Sequence, residues 1–378
     1  MIKNKILLIG NINNSLIIEY ARQLQNKNIK IDFLTTSKIN THNTSLFNKI
    51  FYLQKDSIIY RIFNKIKMGK LYIHAKFKYL SLKDYESIHF HYIDRESSII
   101  AKMFDKYTKS NIIISIWGSD LYNFSKTNSL TFLEACKTAK YITFANKSIK
   151  NQFIELTNWN QNNLIVIRFG LTPIDFIIKN SLNKDECKDK LGWDISKIAI
   201  TIGYNLNPIQ QHLKILENFK GELLNQYTDK ILLVIPITYG NYPDYKKEII
   251  KTLKELPFKY FIYDSFLSND KVSILRKASD IMIQLQEHDQ FSGSMQEYIF
   301  SNNIVITGEW LPYETLKENE VYYETVKSIE FLPKKIDQII KNYEKYKLKT
   351  KQAQSKIYNL SSWNKNIDKW VDLYKNEY

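Results

Sequence analysis

Short apolar runs alternate with longer amphipathic stretches along the first 170 residues, and this pattern constrains the fold most strongly. Each apolar run ends in a polar turn. The predicted strands are 5–9, 29–34, 87–90, 111–116, 141–144 and 163–167, and the predicted helices are 15–25, 95–107, 129–139 and 147–156. Alternation of this kind is typical of βαβ units that form a parallel sheet. The first half is therefore predicted to be a Rossmann-like domain.

The same alternation begins again near residue 197. Here the predicted strands are 197–202, 230–235, 260–263, 281–285 and 304–307, and the predicted helices are 207–219, 244–256, 268–278 and 294–301. Residues 172–194 lie between the two series, and Pro173 with the polar run after it indicates an interdomain linker with a short helix at 185–191. We predict an α/β protein with two Rossmann-like domains in tandem, 1–175 and 176–360. Residues 361–378 are predicted to form a C-terminal helix that crosses back to the first domain.

The cysteine content and the hydropathy pattern indicate a cytoplasmic protein. Two cysteines, Cys136 and Cys187, cannot form a disulfide framework, which fits a reducing compartment. No segment reaches the roughly 18 apolar residues that a membrane-spanning helix needs. The apolar run before Gly10 is too short for the core of a signal peptide.

The net charge of +15 lies almost entirely in the first half. Residues 1–180 hold 26 basic and 12 acidic residues, whereas residues 181–378 hold 28 and 27. Within 49–83 the bases are interleaved with aromatic and aliphatic residues at near-helical spacing, which suits an anionic membrane surface. A solvated helix face over a core is the alternative. Nucleic acid is not predicted as a partner, because no known nucleic-acid-binding motif accompanies the charge.

Ligands of doubly wound sheets lie at the carboxyl ends of the strands, so the residues just after each strand are the candidates. The loop that contains Asn11 is not a GxGxxG motif, which disfavours a nicotinamide cofactor. His89 and His91 are interpreted as alternating, so that His91 alone faces the ligand. No metal is predicted, since further metal ligands are missing nearby. The other candidates in this half are Tyr92, Trp117, Gly118, Ser119 and Asp120, where Asp120 is a possible base or only a helix cap, and Arg168, which could hold a phosphate.

The second half offers a matching series of loops. The helix that contains His212 follows the first loop, and its N-terminus is predicted to bind a pyrophosphate. The strongest constellation is a strand end, a polar loop and a helix start at 284–297, with Asp289 before the loop and Glu297 one turn into the helix. The candidates for donor binding are Gly203, Tyr204, Asn205, His212, Pro236, Tyr239, Gly240, Asp264, Gln290, Phe291, Ser292, Gly293, Ser294 and Glu297.

The run Asp289-Gln-Phe-Ser-Gly-Ser-Met-Gln-Glu297 resembles the carboxylate-x7-Glu motif of GT-B glycosyltransferases of the family-4-like type. Ile88-His89-Phe90-His91 and Trp117-Gly-Ser-Asp120 are similar to N-domain segments of that class. The loops at 203–212 and 235–240 are somewhat similar to those of TDP-fucosamine transferases. The resemblance implies that Glu297 binds the ribose of the nucleotide and that Asp289 lies beside the donor sugar.

The implied function is metal-independent transfer of a sugar from a nucleotide-sugar donor to a glycan or lipid-linked acceptor in bacterial surface polysaccharide synthesis. No cofactor is expected, and the donor would be a UDP- or TDP-linked co-substrate. Asp120 or His91 would be the base if the reaction inverts, and Asp289 would stabilise developing positive charge if it retains. The alternatives are a nucleotide-sugar 2-epimerase and a non-catalytic protein that binds an anionic surface.

Overall fold

The computed structural model describes residues 5–40, 43–53, 61–62, 65, 85–127, 130–289 and 291–375. The chain divides into two compact units. One unit comprises Met1–Phe169 together with Asn366–Tyr378, and the other comprises Gly170–Lys365.

The first unit is built on a seven-stranded parallel sheet. Its strands are β1 (Lys5–Ile9), β2 (Lys30–Thr35), β3 (Lys49–Tyr52), β4 (Ser87–His91), β5 (Asn111–Ile116), β6 (Tyr141–Phe144) and β7 (Leu164–Val166). Their order is β3-β2-β1-β4-β5-β6-β7, so the order reverses between β1 and β4. A reversal of this kind is where doubly wound sheets bind ligands.

Helices connect these strands. They are α1 (Ser15–Asn26), α2 (Arg95–Tyr107), α3 (Ser119–Thr127), α4 (Leu130–Lys137) and α5 (Lys147–Thr157). The core of the sheet is apolar, as expected where helices cover both faces. β4 and β5 are buried along nearly their whole length.

The second unit repeats the design with six parallel strands. These are β8 (Ile198–Ile202), β9 (Ile231–Pro236), β10 (Lys259–Tyr263), β11 (Ile281–Gln284), β12 (Ile304–Gly308) and β13 (Glu324–Val326), in the order β10-β9-β8-β11-β12-β13. The helices are α6 (Thr172–Lys179), α7 (Lys184–Lys190), α8 (His212–Glu217), α9 (Glu222–Asn225), α10 (Pro243–Lys254), α11 (Asn269–Ala278), α12 (Gly293–Phe300), α13 (Glu314–Glu318), α14 (Leu332–Lys341), α15 (Tyr343–Thr350) and α16 (Ala353–Ser361).

A last helix, α17 (Trp363–Lys375), contributes its residues from Asn366 onward to the first unit. The Tyr374 hydroxyl lies 2.7 Å from the Tyr20 hydroxyl and 2.6 Å from His89 Nδ1, and all three side chains are buried. The Trp370 indole N–H donates to the Arg168 carbonyl at 3.1 Å. Buried polar groups of this kind need partners, so these bonds fix the end of the chain on the first unit.

The predicted fold class, two Rossmann-like α/β sheets in tandem, is confirmed by this topology. The short helix predicted at 185–191 is confirmed by α7, but the segment before it is not an irregular linker, because Thr172–Lys179 forms α6. Pro173 stands in the first turn of α6, where its missing N–H costs no hydrogen bond. The prediction also missed β3, β13 and α3. Of the basic segment 49–83, only 49–53, 61–62 and 65 lie within the described residues, so the predicted membrane surface falls mostly outside them.

A buried carboxylate, that of Asp280, lies directly before β11 and links several elements of the second unit. Asp280 accepts hydrogen bonds from Ala199 N at 3.0 Å and from the Tyr343 hydroxyl at 2.6 Å. It also pairs with the ammonium groups of Lys184 and, at 2.8 Å, Lys188. Burial opposes its charge, but the two lysines lower the pKa of Asp280 to about 2.

We predict that Asp280→Asn lowers the free energy of unfolding of the second unit by about 3 kcal/mol at pH 7, since it leaves two lysines without their counter-charge. Because the folded pKa is depressed, the wild-type advantage is present above about pH 4 and is lost as the pH falls toward 2. Urea unfolding of both proteins at pH 7 and pH 3 measures this. The exposed Asp244→Asn is the control, and equal midpoints of wild type and Asp280→Asn at pH 7 would contradict the account.

Candidate functional site

A pocket of about 350 Å³ lies at the carboxyl edge of the sheet in the second unit. Six of the predicted donor-binding residues line it, namely Tyr204, Pro236, Tyr239, Gly293, Ser294 and Glu297. They come from the ends of two neighbouring strands, β8 and β9, and from the first turns of α12. The predicted loops therefore meet around one cavity, as the carboxyl ends of parallel strands should.

The Glu297 carboxylate in this pocket is held by a buried arginine. Arg276 Nε donates to Glu297 Oε2 at 3.0 Å, and its other nitrogens donate to the Tyr298 hydroxyl at 2.8 Å and the Ser294 hydroxyl at 3.1 Å. The guanidinium also lies over the Tyr298 ring, 4.2 Å from its centroid. Arg276 is only 6% exposed and Glu297 7%. Two hydrogen bonds and a stacked ring therefore fix the guanidinium, and its third hydrogen bond holds the carboxylate at the pocket wall.

Sequence reasoning missed Arg276, although the composition carried a signal. Only five of the 54 basic residues are arginines. An arginine supplies a rigid planar fork that lysine cannot, so a rare arginine in a lysine-rich chain marks a position where that geometry is used. Arg276 is one of the buried residues of α11, together with Ser273, Leu275 and Ala278.

Asp289 shapes the loop that leads into α12. Its Oδ2 accepts from Ser292 N at 2.7 Å and from the Tyr313 hydroxyl at 2.6 Å. Ser292 in turn caps α12 by accepting from Met295 N. Asp289, Phe291 and Ser292 are adjacent to the pocket-lining residues but do not line the pocket themselves, and Gln290 lies outside the described residues. The predicted catalytic role of Asp289 stays a prediction.

The loop after β8 leads to His212, which is buried at the start of α8. Burial lowers the pKa of His212 to about 4, so the side chain is neutral at pH 7 and adds no positive charge to the predicted pyrophosphate site. Gly203 has φ +65°, and a Cβ there would lie 2.7 Å from His212 Nε2, so only glycine fits. α8 begins at His212 and has six residues.

The remaining donor candidates have local structural partners. Asn205 Oδ1 accepts from Asn207 N at 2.8 Å, and its amide lies 3.3 Å from the Tyr239 hydroxyl. Gly240 has φ +110° and packs close to Leu206. Asp264 is exposed and pairs with Lys246 at 2.8 Å, outside the pocket lining. Arg168 belongs to the first unit, where burial lowers its pKa to about 9.

The first unit has its own pocket of about 430 Å³ at the carboxyl edge of its sheet. The predicted residues Asn11, His91, Tyr92, Trp117 and Ser119 all line it. Tyr92 has φ +75°, a left-handed conformation that is strained for an aromatic residue. Strain of this kind is concentrated at functional sites, where the surrounding structure enforces it.

The expectation that His89 and His91 face opposite ways is wrong. Side chains two residues apart on a strand share a face, and the two imidazole centroids are 4.0 Å apart. His89 is fully engaged, because Nδ1 meets the Tyr374 hydroxyl and Nε2 lies 2.7 Å from the Ser115 hydroxyl. His91 is the one that lines the pocket.

Asp120 is a buried carboxylate in the first turn of α3. Its carboxylate accepts from the backbone N–H groups of Trp117, Gly118 and Leu121 at 2.9 to 3.0 Å and from that of Ile93 at 3.4 Å. Burial raises the pKa of Asp120 to about 6, against the effect of these bonds. The side chain is 2% exposed and does not line the pocket, and the predicted role of Asp120 as a base stays a prediction.

Comparisons with known proteins agree with this architecture. Residues 5–149 match the family model described as glycosyl transferase 4-like. A glycosyltransferase from Rickettsia africae is 16% identical over 98% of both chains, with a TM-score of 0.71. HepE from Anabaena, solved in complex with UDP and glucose, is 12% identical over 98% of this chain and 99% of its own, with a TM-score of 0.68.

Sucrose-phosphate synthase from Thermosynechococcus elongatus is 12% identical over 99% of this chain and 98% of its own, with a TM-score of 0.70. The chain has the GT-B fold, and residues 5–149 are similar to the glycosyl transferase 4-like family. The resemblance to GT-B glycosyltransferases of the family-4-like type is thus confirmed. No curated protein sequence matches the chain.

Metal-binding clusters and membrane-spanning helices are both absent from the described residues. In that part of the chain, no group of three or more histidine, cysteine or acidic side chains is arranged to hold a metal ion. No helix there is both long and apolar enough to cross a bilayer.

We predict that the His91 imidazole stays neutral from pH 8 down to pH 5, because burial lowers its pKa to about 3. The ring signals of His91, assigned by comparison with His91→Gln, should not shift over this range in NMR spectra. Because the folded pKa lies below the usual value, the contribution of neutral His91 to the free energy of unfolding is fully present above about pH 6.5. It decreases as the pH falls. A titration midpoint above pH 5 would contradict the buried placement.

Proposed function

We propose that the protein is a glycosyltransferase that moves a sugar from a nucleotide-sugar donor to a glycan or lipid-linked acceptor in bacterial surface polysaccharide synthesis. The observation that carries this proposal is the Glu297 carboxylate, which Arg276 fixes at the wall of a pocket at the carboxyl edge of the second sheet. A fixed carboxylate accepts two adjacent hydroxyl groups well, and a ribose presents such a pair.

Two exposed aromatic side chains line the same pocket and support a nucleotide as its ligand. Phe266 is 81% exposed and Tyr239 53%, although large aromatic residues are usually buried. Aromatic faces of this kind stack on nucleobases, an interaction worth about 1–3 kcal/mol per base. Glu297 would thus bind the ribose of a nucleoside, and the aromatic side chains would stack on its base.

The donor's diphosphate would lie at the start of α12, beside the neutral Ser292 cap, where the Ser294 hydroxyl lines the pocket. HepE, a structural neighbour, was solved with UDP, so UDP-linked sugars are the first donors to test and TDP-linked sugars the second. We propose that the reaction needs no cofactor and no metal, with the donor acting as a co-substrate.

The acceptor is proposed to bind the pocket of the first unit, through Asn11, Tyr92, Trp117 and Ser119, with His91 on its wall. Peripheral attachment to the inner face of the plasma membrane, through the basic segment 49–83, is part of the proposal. The charge of that segment suits anionic headgroups.

We predict that Glu297→Gln weakens UDP binding about 10- to 100-fold, because a charge-assisted hydrogen bond contributes about 1.5–3 kcal/mol. Calorimetric titration of the full chain with UDP measures this. 2′,3′-Dideoxy-UDP should bind wild type as weakly as UDP binds the variant, and Glu297→Gln should not distinguish the two nucleotides.

The exposed Glu314→Gln, on α13, is the matched control and should bind UDP as wild type does. A thermal melt of each variant checks that the fold is intact. Equal affinity of Glu297→Gln and wild type for UDP would overturn the ribose role. Absence of any UDP or TDP binding to wild type would overturn the proposed function itself.

Catalysis is tested by release of UDP from UDP-sugars in the presence of the full chain. A transferase turns the donor over slowly even without acceptor, whereas a non-catalytic binding protein does not. Asp289→Ala should abolish that release while UDP still binds. An unchanged rate in this variant would contradict the role of Asp289 beside the donor sugar.

A further inference from the structure

Three helices begin at the pocket of the first unit. Asn14 at the start of α1, Asp94 at the start of α2 and Ser119 at the start of α3 all line it. Free N–H groups at a helix start are ordinarily a binding site for phosphate and other anions. Three such starts around one cavity would therefore favour an anionic ligand, unless something else occupies them.

The chain's own side chains accept from backbone N–H groups at all three helix starts. Asn14 Oδ1 accepts from the backbone N–H groups two and three residues ahead, at 2.9 and 3.4 Å. Asp94 Oδ1 accepts from those at the same two offsets in α2, at 3.0 and 2.8 Å. Asp120 accepts from N–H groups before and within the first turn of α3. Asp94 is a carboxylate that lines the pocket itself, so it carries negative charge where an anion would otherwise bind.

The pocket wall nevertheless offers unused neutral hydrogen-bonding groups. Neither ring nitrogen of His91 has a hydrogen-bond partner among the described residues, and the side chain is 1% exposed. The Trp117 indole N–H is buried and equally without a partner in that part of the chain. Both side chains line the pocket. Buried polar groups without a partner are costly, and a ligand that hydrogen-bonds to them removes that cost.

The charge around the pocket agrees with a neutral ligand. Among the residues that the structure describes, no lysine or arginine lines the cavity, although the unit as a whole is strongly basic. The lining also includes the aromatic side chains of Tyr92 and Trp117. Donors, acceptors and an aromatic surface without a cation suit the hydroxyl groups and the C–H face of a sugar ring.

We infer that this pocket binds an uncharged sugar unit and excludes phosphorylated sugars. This inference rests on the proposed function, since it names the class of acceptor that the first unit takes. In a lipid-linked acceptor, the terminal sugar would enter the pocket and the diphosphate would stay outside it.

The test is the binding of neutral methyl glycosides and of their 6-phosphates to the full chain, measured by ligand-observed NMR at matched ionic strength. The panel uses glucose, galactose, mannose and N-acetylglucosamine derivatives. We expect at least one neutral glycoside to bind, and its 6-phosphate to bind at least tenfold more weakly. Trp117→Phe keeps the aromatic face but removes the N–H, and should weaken the neutral glycoside about three- to tenfold.

A variant that removes one negative charge tests directly whether the pocket excludes phosphorylated sugars. Asp94→Asn keeps a good helix cap and removes one carboxylate, so the ratio of phosphorylated to neutral binding should rise about two- to fivefold. Asp105→Asn removes the same charge near the other end of α2, at an exposed position, and should not change that ratio. A thermal melt confirms that each variant is folded.

Three results would overturn the inference: a 6-phosphate that binds as well as its neutral glycoside, a ratio that Asp94→Asn does not change, and no glycoside binding at all. UDP binding in the second unit is measured in the same samples. If UDP binds while the glycoside results fail, the acceptor class alone is wrong. If no nucleotide binds, the proposed function fails, whatever the glycosides do.

Discussion

Parallel pairing of the strands is the constraint on which the other features depend. In both sheets the strands run parallel and are covered on both faces, so their side chains are largely apolar along their length. Polar side chains that can contact a ligand are then restricted to the loops at the carboxyl ends. Both pockets lie at these ends, and both are lined by residues that follow a strand directly.

The two units differ in the side chains that cap the helix starts at their pockets, and a few single residues cause this difference. Around the pocket of the first unit, Asn14, Asp94 and Asp120 satisfy the N–H groups of three helices. At the pocket of the second unit, α12 has a neutral serine cap, and its acidic residue, Glu297, is paired with Arg276. This difference supports the proposal that one pocket takes an uncharged sugar and the other a nucleotide.

Much of this arrangement could be predicted from the sequence. The periodicity of apolar residues predicts the strands and helices, and the sequence then shows which residues follow each strand. The strand ends of β4, β5, β8 and β9 and the start of α12 placed ten candidate residues in the lining of the two pockets. The role of Arg276 could not be predicted, since it depends on a contact between α11 and α12. α6 was missed because Pro173 was interpreted as a sign of a linker, although proline is also suited to the first turn of a helix.

Hydrogen exchange of the full chain with saturating UDP tests the central claim most directly, because it shows which unit takes the nucleotide. The account predicts protection in peptides that cover 236–240 and 293–298, with little change in those that cover 10–17 and 91–97. Protection confined to the peptides of the first unit would contradict the assignment of the donor to the second.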